Sequence, residues 1–220
     1  VVVDDTEREN EGDLIIAAEK ITAAQMAFLV RHSSGVVCVA LDADRLKSLA
    51  LPLMVPANQD SFQTAFTVTV DCIAGNSTGI SAADRARTLR ALARPQASAA
   101  EFSRPGHIFP LQARKGGVTA RQGHTEAAYD LARLAGLSPA GVLCEIVNDD
   151  GSMARRPDLF RFAAQHQLPI ITIADLKAYI EEMGVEEAAL LAQSADHRFS
   201  VRPAMQSGKQ LLDAAILYAG

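Results

Sequence analysis

Cysteine is scarce: Cys38, Cys72 and Cys144 are the only three in 220 residues, and no two stand in a CxxC spacing. An odd, scattered set excludes a disulfide framework and suits reduced thiols, so a cytoplasmic protein is expected. Cys38 and Cys144 fall in apolar, strand-like runs and read as small core residues. No apolar run approaches the length of a membrane span, and no basic stretch leads into an apolar core near the start. Neither a spanning helix nor a signal peptide is therefore expected. Positive charge is also in deficit, with 21 Lys and Arg against 26 Asp and Glu for a net charge of −5. That balance excludes non-specific binding to nucleic acid or to an anionic membrane, while leaving enough arginines to hold a phosphate locally. Repeats and low-complexity segments are absent. What is present is ordinary for one globular core: 49% hydrophobic and 21% charged residues.

Against this background one stretch stands out. Asp4 to Asp13 carries six carboxylates and one arginine between the apolar runs Val1–Val3 and Leu14–Ala18. Acids crowded between buried strands repel one another unless a cation or a polar substrate shares the space. If the stretch is extended, Glu9, Glu11 and Asp13 point to one side and Arg8 and Asn10 to the other. Carboxylate oxygens on one face suit a hard cation such as magnesium, the other reading being a solvated acidic loop.

Short strands and helices alternate along the rest of the chain, which predicts an α/β or α+β sandwich. Thr22 and Gln25 form a capping box for a helix from Ala23 to about His32. Val36–Leu41 reads as a strand, and Phe66–Val70 alternates as a half-buried one. Ser81 caps a helix with Asp84 at its third position, and the preceding glycine makes that end either a plain cap or an anion site. Arg104-Pro105-Gly106-His107 reads as a rigid turn that positions the histidine ahead of a strand, Ile108–Gln112. Arg121-Gln122-Gly123-His124-Thr125 opens a helix, Glu126–Ala135, closed by Gly136. A guanidinium, a hydroxyl and free N–H groups at a helix N-terminus suit a phosphate monoester, and His124 there is either a metal ligand or part of the cap. Val142–Val147 reads as a buried strand with one carboxylate, so Glu145 is either at the strand's surface end or a carboxylate adapted to acid/base work; its apolar neighbours favour the second. Pro157–His166 reads as a helix, Pro169–Ile173 as a strand, and Asp175 opens a helix to about Met183.

Taken together, DDTERENEGDLI, RHSSGVVCV, FTVTVD, TGISAADRARTLR, RPGHIFPL, GGV, RQGHTEAAYDLARLAG, PAGVLCEIVNDDGSMAR and ITIADL closely resemble the 3,4-dihydroxy-2-butanone 4-phosphate synthase family. The resemblance implies an αβα sandwich with a mixed sheet flanked by helices, and a cytoplasmic homodimer with its site near the interface. It further implies two magnesium or manganese ions per site. The implied reaction converts ribulose 5-phosphate, through a metal-stabilised enediol, dehydration and rearrangement, to the four-carbon ketone phosphate and formate. Carried over by position, Glu9 and His124 look like the metal ligands. Arg8, Glu9, Asp13, Arg121, Gln122, Gly123, His124, Thr125 and Glu145 look like substrate contacts. Asp13, His107, Glu145 and Cys38 look like catalytic residues. Two other readings stay open: a catalytically silent binding domain of the same fold, and another metal-dependent sugar-phosphate isomerase or aldolase.

The family usually carries a helix and turn ahead of the VVVDD strand, which this sequence lacks, and residues 1–180 are expected to form the family domain. Residues 181–220 read as a helical tail, with amphipathic segments at Val185–Ala192 and Gln206–Ala219, expected to cover surface left bare by the missing helix.

Overall fold

The computed structural model describes the backbone of residues 1–194 and the side chains of residues 1–184. Its strands are β1 (Val2–Val3), β2 (Gly12–Ala17), β3 (Cys38–Leu41), β4 (Val70–Cys72), β5 (Phe102–Gln112), β6 (Gly141–Glu145) and β7 (Ile171–Thr172). Its helices are α1 (Ala23–His32), α2 (Ala43–Ser48), α3 (Ala82–Ala93), α4 (His124–Leu134), α5 (Arg156–His166) and α6 (Ile173–Ser194). The strands form one mixed sheet in the order β4-β5-β3-β6-β2-β1-β7. The pairs β3/β5 and β1/β7 are parallel and the other four antiparallel.

The two faces of the sheet are covered by different helices, because alternate strand residues feed different cores. Leu14, Val39, Leu41, Val142 and Cys144 join Met26 and Leu29 of α1, Leu89 and Leu92 of α3, and Leu159 of α5. On the opposite face Cys38, Ala40, Leu111 and Leu143 pack on Ala128 of α4, and Val2 packs on Ala127 of α4 and on Ile173 and Leu176 of α6. The expected αβα sandwich is thus formed. No helix among the described residues is long and apolar enough to cross a membrane.

Helix starts follow local chemistry. The Thr22 hydroxyl accepts from Gln25 N–H at 3.2 Å and the Gln25 carboxamide accepts from Thr22 N–H at 2.9 Å, the expected capping box. Ser81 caps α3 through Asp84 N–H at 3.0 Å. Asp84 in turn accepts from Ser77 N–H and hydroxyl and from Gly79 N–H. The chain therefore supplies its own anion at this helix end, and plain capping accounts for the motif.

Four expectations are corrected. Phe66–Val70 is not a continuous strand: Phe66 and Thr67 make isolated bridges to Leu111 and Leu53, and regular pairing starts only at Val70. Arg104–His107 lies inside β5 and not in a turn before it. The fourth helix starts at His124, two residues earlier than predicted, with Gly123 as its cap. The last helix does not stop near Met183, since α6 runs to Ser194 and crosses the expected boundary at 180 unbroken. The predicted segment Gln206–Ala219 lies outside the described residues.

Gly141 fixes how closely α4 lies on the sheet. A Cβ at this position would overlap the carbonyl of Ala128 and stand 2.8 Å from the Ala128 methyl, so helix and strand touch backbone to backbone. Gly141→Ala must push α4 outward. We expect it to cost about 1–3 kcal/mol, a drop in melting temperature of roughly 2–12 °C by thermal denaturation. An unchanged melting temperature would show that the close approach is not required.

Candidate active site

β2 and β6 are paired so that Asp13 faces Glu145 across the ladder. By strand parity both share the face of Ile15 and Leu143, the face α4 covers. α4 begins with His124, so its first turn lies over these carboxylates. The Nδ1 atom of His124 is 3.3 Å from Glu9 Oε2 and 3.7 Å from Asp13 Oδ1.

The acidic loop is not extended, which corrects the expected alternation of Glu9, Glu11 and Asp13. Its path closes on Asp4, whose side chain is fully buried. Asp4 Oδ1 accepts from Glu11 N–H at 2.9 Å, and Oδ2 accepts from Glu9 N–H at 3.1 Å and from Arg8 Nη1 at 2.9 Å. Asn10 takes a left-handed backbone (φ 53°), which asparagine tolerates. Arg155 donates to the carbonyls of Glu9 and Asn10, both at 2.7 Å. The result brings Glu9 against His124 of α4. Arg8 also donates to Glu9 at 2.6 Å and lies 5.1 Å from the ring centre of Phe62.

Asp4, Glu9 and His124 offer ligand atoms within 4.8 Å of one another. The oxygens of Asp4 are already occupied by N–H groups, so its place is to shape the loop. Glu9 and His124 remain as donors. Two buried atoms beside them have no hydrogen-bond partner, Asp13 Oδ1 and His124 Nε2. Orphaned polar atoms of this kind are costly unless something completes them. A set of carboxylate oxygens and one imidazole suits a divalent cation.

The electrostatics point the same way. Burial raises the Asp13 carboxyl to about 7; His124 opposes the rise, while Glu145, Glu9 and Glu11 add to it. Burial alone would lower His124, but the Asp13 charge and the hydrogen bond to Glu9 outweigh it and hold the imidazole at about 9. Protons stand here where a cation's charge would otherwise be.

Glu145 accepts from the Ser34 hydroxyl at 2.6 Å, and Ser34 N–H donates to the Glu145 carbonyl at 2.8 Å. It is half-buried at the strand end, combining the two predicted environments. Arg121 donates to the buried Glu126 at 2.6 Å and to the Phe62 carbonyl at 2.9 Å. Gly123 makes room for this guanidinium, because a Cβ there would overlap it. Among the described residues no side chain caps α4, so N–H groups of its first turn stay open for an anion. Thr125 is buried beside them and Gln122 is exposed. Arg121, Thr125 and Arg114 line a cleft of about 410 Å³ shared with the 53–66 loop.

Cys38 lies in the core between β3 and α4, and burial, then the charge of Glu145, pushes its thiol well up. Its Sγ donates weakly to the Val36 carbonyl at 3.5 Å. That environment disfavours a thiolate and fits the core reading. Phe109 and Leu143 are both Cα partners of Cys38. His107 and Glu145, two residues beyond them, accordingly lie at the same end of the sheet, on either side of the segment entering β3. His107 does not join the His124 cluster; its Nδ1 is 2.6 Å from Asp71 Oδ2. Asp4, Ser34, Asp71 and Glu126 were not singled out by the sequence. Only Asp4 and Asp71 carried a signal, each being a carboxylate that ends an apolar run.

Residues 1–179 match the family model described as 3,4-dihydroxy-2-butanone 4-phosphate synthase. A protein of that name from Agrobacterium fabrum is 56% identical over 187 residues, covering 85% of this chain and 88% of the relative. Riboflavin biosynthesis protein RibBA of Salinispora arenicola is 63% identical over 179 residues, 81% of this chain; the chain spans only 43% of that longer protein. A crystal structure of 3,4-dihydroxy-2-butanone 4-phosphate synthase in complex with two magnesium ions superposes with a TM-score of 0.80. It is 48% identical, with 83% of this chain and 90% of that chain covered.

A cation bound by His124 must displace the imidazole proton, so binding should strengthen as pH rises. Without cation, His124 stabilises the fold below 6.5 and that contribution is lost as pH rises through about 9. The raised Asp13 works in the same direction, its ionised form being penalised as pH rises from 3.8 through about 7. Melting temperature of the metal-free protein should therefore fall between about pH 6 and pH 9, and the gain on adding magnesium or manganese should grow over the same interval. A gain independent of pH would detach the cation from these two groups.

Proposed function

The chain belongs to the 3,4-dihydroxy-2-butanone 4-phosphate synthase family, and from that premise we propose that the acidic loop, the start of α4 and the ends of β2 and β6 form its active site. The enzyme acts in riboflavin biosynthesis, converting D-ribulose 5-phosphate to L-3,4-dihydroxy-2-butanone 4-phosphate and formate. The observation that carries the site assignment is the pair of orphaned buried atoms, Asp13 Oδ1 and His124 Nε2, beside Glu9.

In this reading Glu9 and His124 hold the cation, magnesium or manganese, and we propose two ions per site; a relative's crystal structure is in complex with two magnesium ions. When bound, the cation supplies Lewis-acid stabilisation of negative charge on the substrate's carbonyl and hydroxyl oxygens. Arg121, the Thr125 hydroxyl and the open N–H groups of His124 and Thr125 cradle the phosphate, with Gln122 at the rim. Arg8, held by Asp4 and Phe62, contacts the sugar. The reaction must remove a proton beside the ketone, expel water, shift the carbon skeleton and release one carbon as formate. Each step needs a proton taken at one atom and returned at another. Asp13 and Glu145 face each other on neighbouring strands, so one carboxylate can take a proton from the substrate while the other, protonated, gives one back at a different atom. Asp13, buried beside Glu145, is the carboxylate that exchanges protons with the substrate. His107 serves the later transfers from the far side of β3. Cys38 forms the wall beneath and not a nucleophile.

The family unit ends near residue 180, inside α6, and residues 181–220 form a tail whose role is not assigned. A homodimer with its site near the interface, in the cytoplasm, completes the proposal on the strength of the family resemblance.

Carbon NMR of labelled ribulose 5-phosphate should show formate and a new methyl ketone with magnesium and neither with EDTA. An isomeric sugar phosphate would favour an isomerase, and unchanged substrate a silent domain. Glu9→Gln and His124→Ala should each lower turnover by about a hundredfold or more while the metal-free protein stays folded. Near-normal turnover in either would remove that residue from the site.

A further inference from the structure

β4 and β5 pair irregularly. Val70 stands opposite Ile108, but its neighbour Asp71 stands opposite Ser103, so Arg104 to His107 bulge out of the β4 ladder within β5. Two glycines keep the bulge in place. Gly106 lies flat on β4, where a Cβ would overlap the Val70 carbonyl and Asp71 N, and its N–H donates to Thr69 Oγ1 at 3.0 Å. Gly79, with φ 89°, covers the far side, where a Cβ would overlap Asp71 Oδ2 and stand 2.8 Å from His107 Nδ1. Both carboxylate oxygens of Asp71 are spent on His107. Oδ1 accepts its backbone N–H at 3.0 Å and Oδ2 faces Nδ1 at 2.6 Å. The Asp71 side chain is 11% exposed and the His107 ring 41%.

We propose that Asp71 is the positioning residue for His107, fixing the ring's orientation and the tautomer with its proton on Nδ1. The inference rests on the reading of His107 as a proton-transfer residue. A carboxylate can only accept, so Nδ1 must donate and the lone pair of the neutral ring falls on Nε2. Nε2 then takes a proton from a substrate carbon or hydroxyl, and Asp71 stabilises the imidazolium until that proton returns. An amide in the same place can donate to Nδ1, which would move the ring proton to Nε2 and remove the base without emptying the site.

Asp71→Asn is the direct test, in the magnesium-loaded enzyme beside His107→Gln and the double variant. The expected result is a fall in kcat of about 10²- to 10⁴-fold with KM changed only a few-fold. Asp71→Asn should add no further loss once His107 is replaced. Nitrogen NMR of the wild-type protein, with the His107 signals identified by their loss in His107→Gln, should place the neutral ring's proton on Nδ1. That readout holds even if the variant folds poorly. Normal kcat in Asp71→Asn beside an impaired His107→Gln overturns the positioning role and leaves the site reading intact. A wild-type ring protonated on Nε2 overturns it as well. Full activity in His107→Gln removes the premise, and the inference with it.

Discussion

The imidazole of His124 wedged against Asp13 and Glu9 is the constraint around which the site is built. Two buried carboxylates and a buried ring cannot stay there as bare charges, since desolvation costs several kcal/mol per ion. The chain answers with protons, His124 held at about 9 and Asp13 at about 7. Everything nearby keeps the group from relaxing. Asp4 ties the loop, Arg155 holds its carbonyls, and Gly141 lets α4 sit against the sheet. The strain is electrostatic and the support is mostly backbone.

Support and chemistry are thereby divided among different residues. Side chains proposed to meet the substrate come from the acidic loop, from β2, β5 and β6, and from the start of α4 with Arg121 just ahead of it. Those that hold them in place spend their polar atoms on the chain itself: Asp4, Glu126 and Asp71 accept from N–H and guanidinium groups, and the Ser34 hydroxyl donates to Glu145. Such groups carry no ligand and are invisible to reasoning that looks for ligands.

How much was legible in the sequence follows from this division. The capping box at Thr22 and the αβα layering were readable, because both depend on local spacing. The gathering of Glu9, Asp13, His124 and Glu145 was legible only through the family resemblance, since residue pattern alone left His124 between ligand and cap and Glu145 between surface end and acid/base group. The loop's path was not readable. Period-two alternation assumes an extended chain, and three hydrogen bonds to Asp4 bend it. Thr67 was misplaced for a similar reason: its N–H and hydroxyl both turn to the Pro110 carbonyl, which breaks regular pairing around it. Asp71 was hidden because its partner lies 36 residues away, across a register shift that no local pattern announces.

One feature of α4 bears on how this protein can vary. Its buried carboxylates, Glu126 and Asp130, accept from the backbone N–H groups of Arg114 and Val118, at 3.0 and 2.8 Å. Each therefore pins a point of the preceding loop twelve residues back, and His124 lies between loop and anchors. An insertion or deletion anywhere from 114 to 130 would put one end of this lacing out of step with the other. Side chains on the outer surface of that stretch are free to drift, but its length is not.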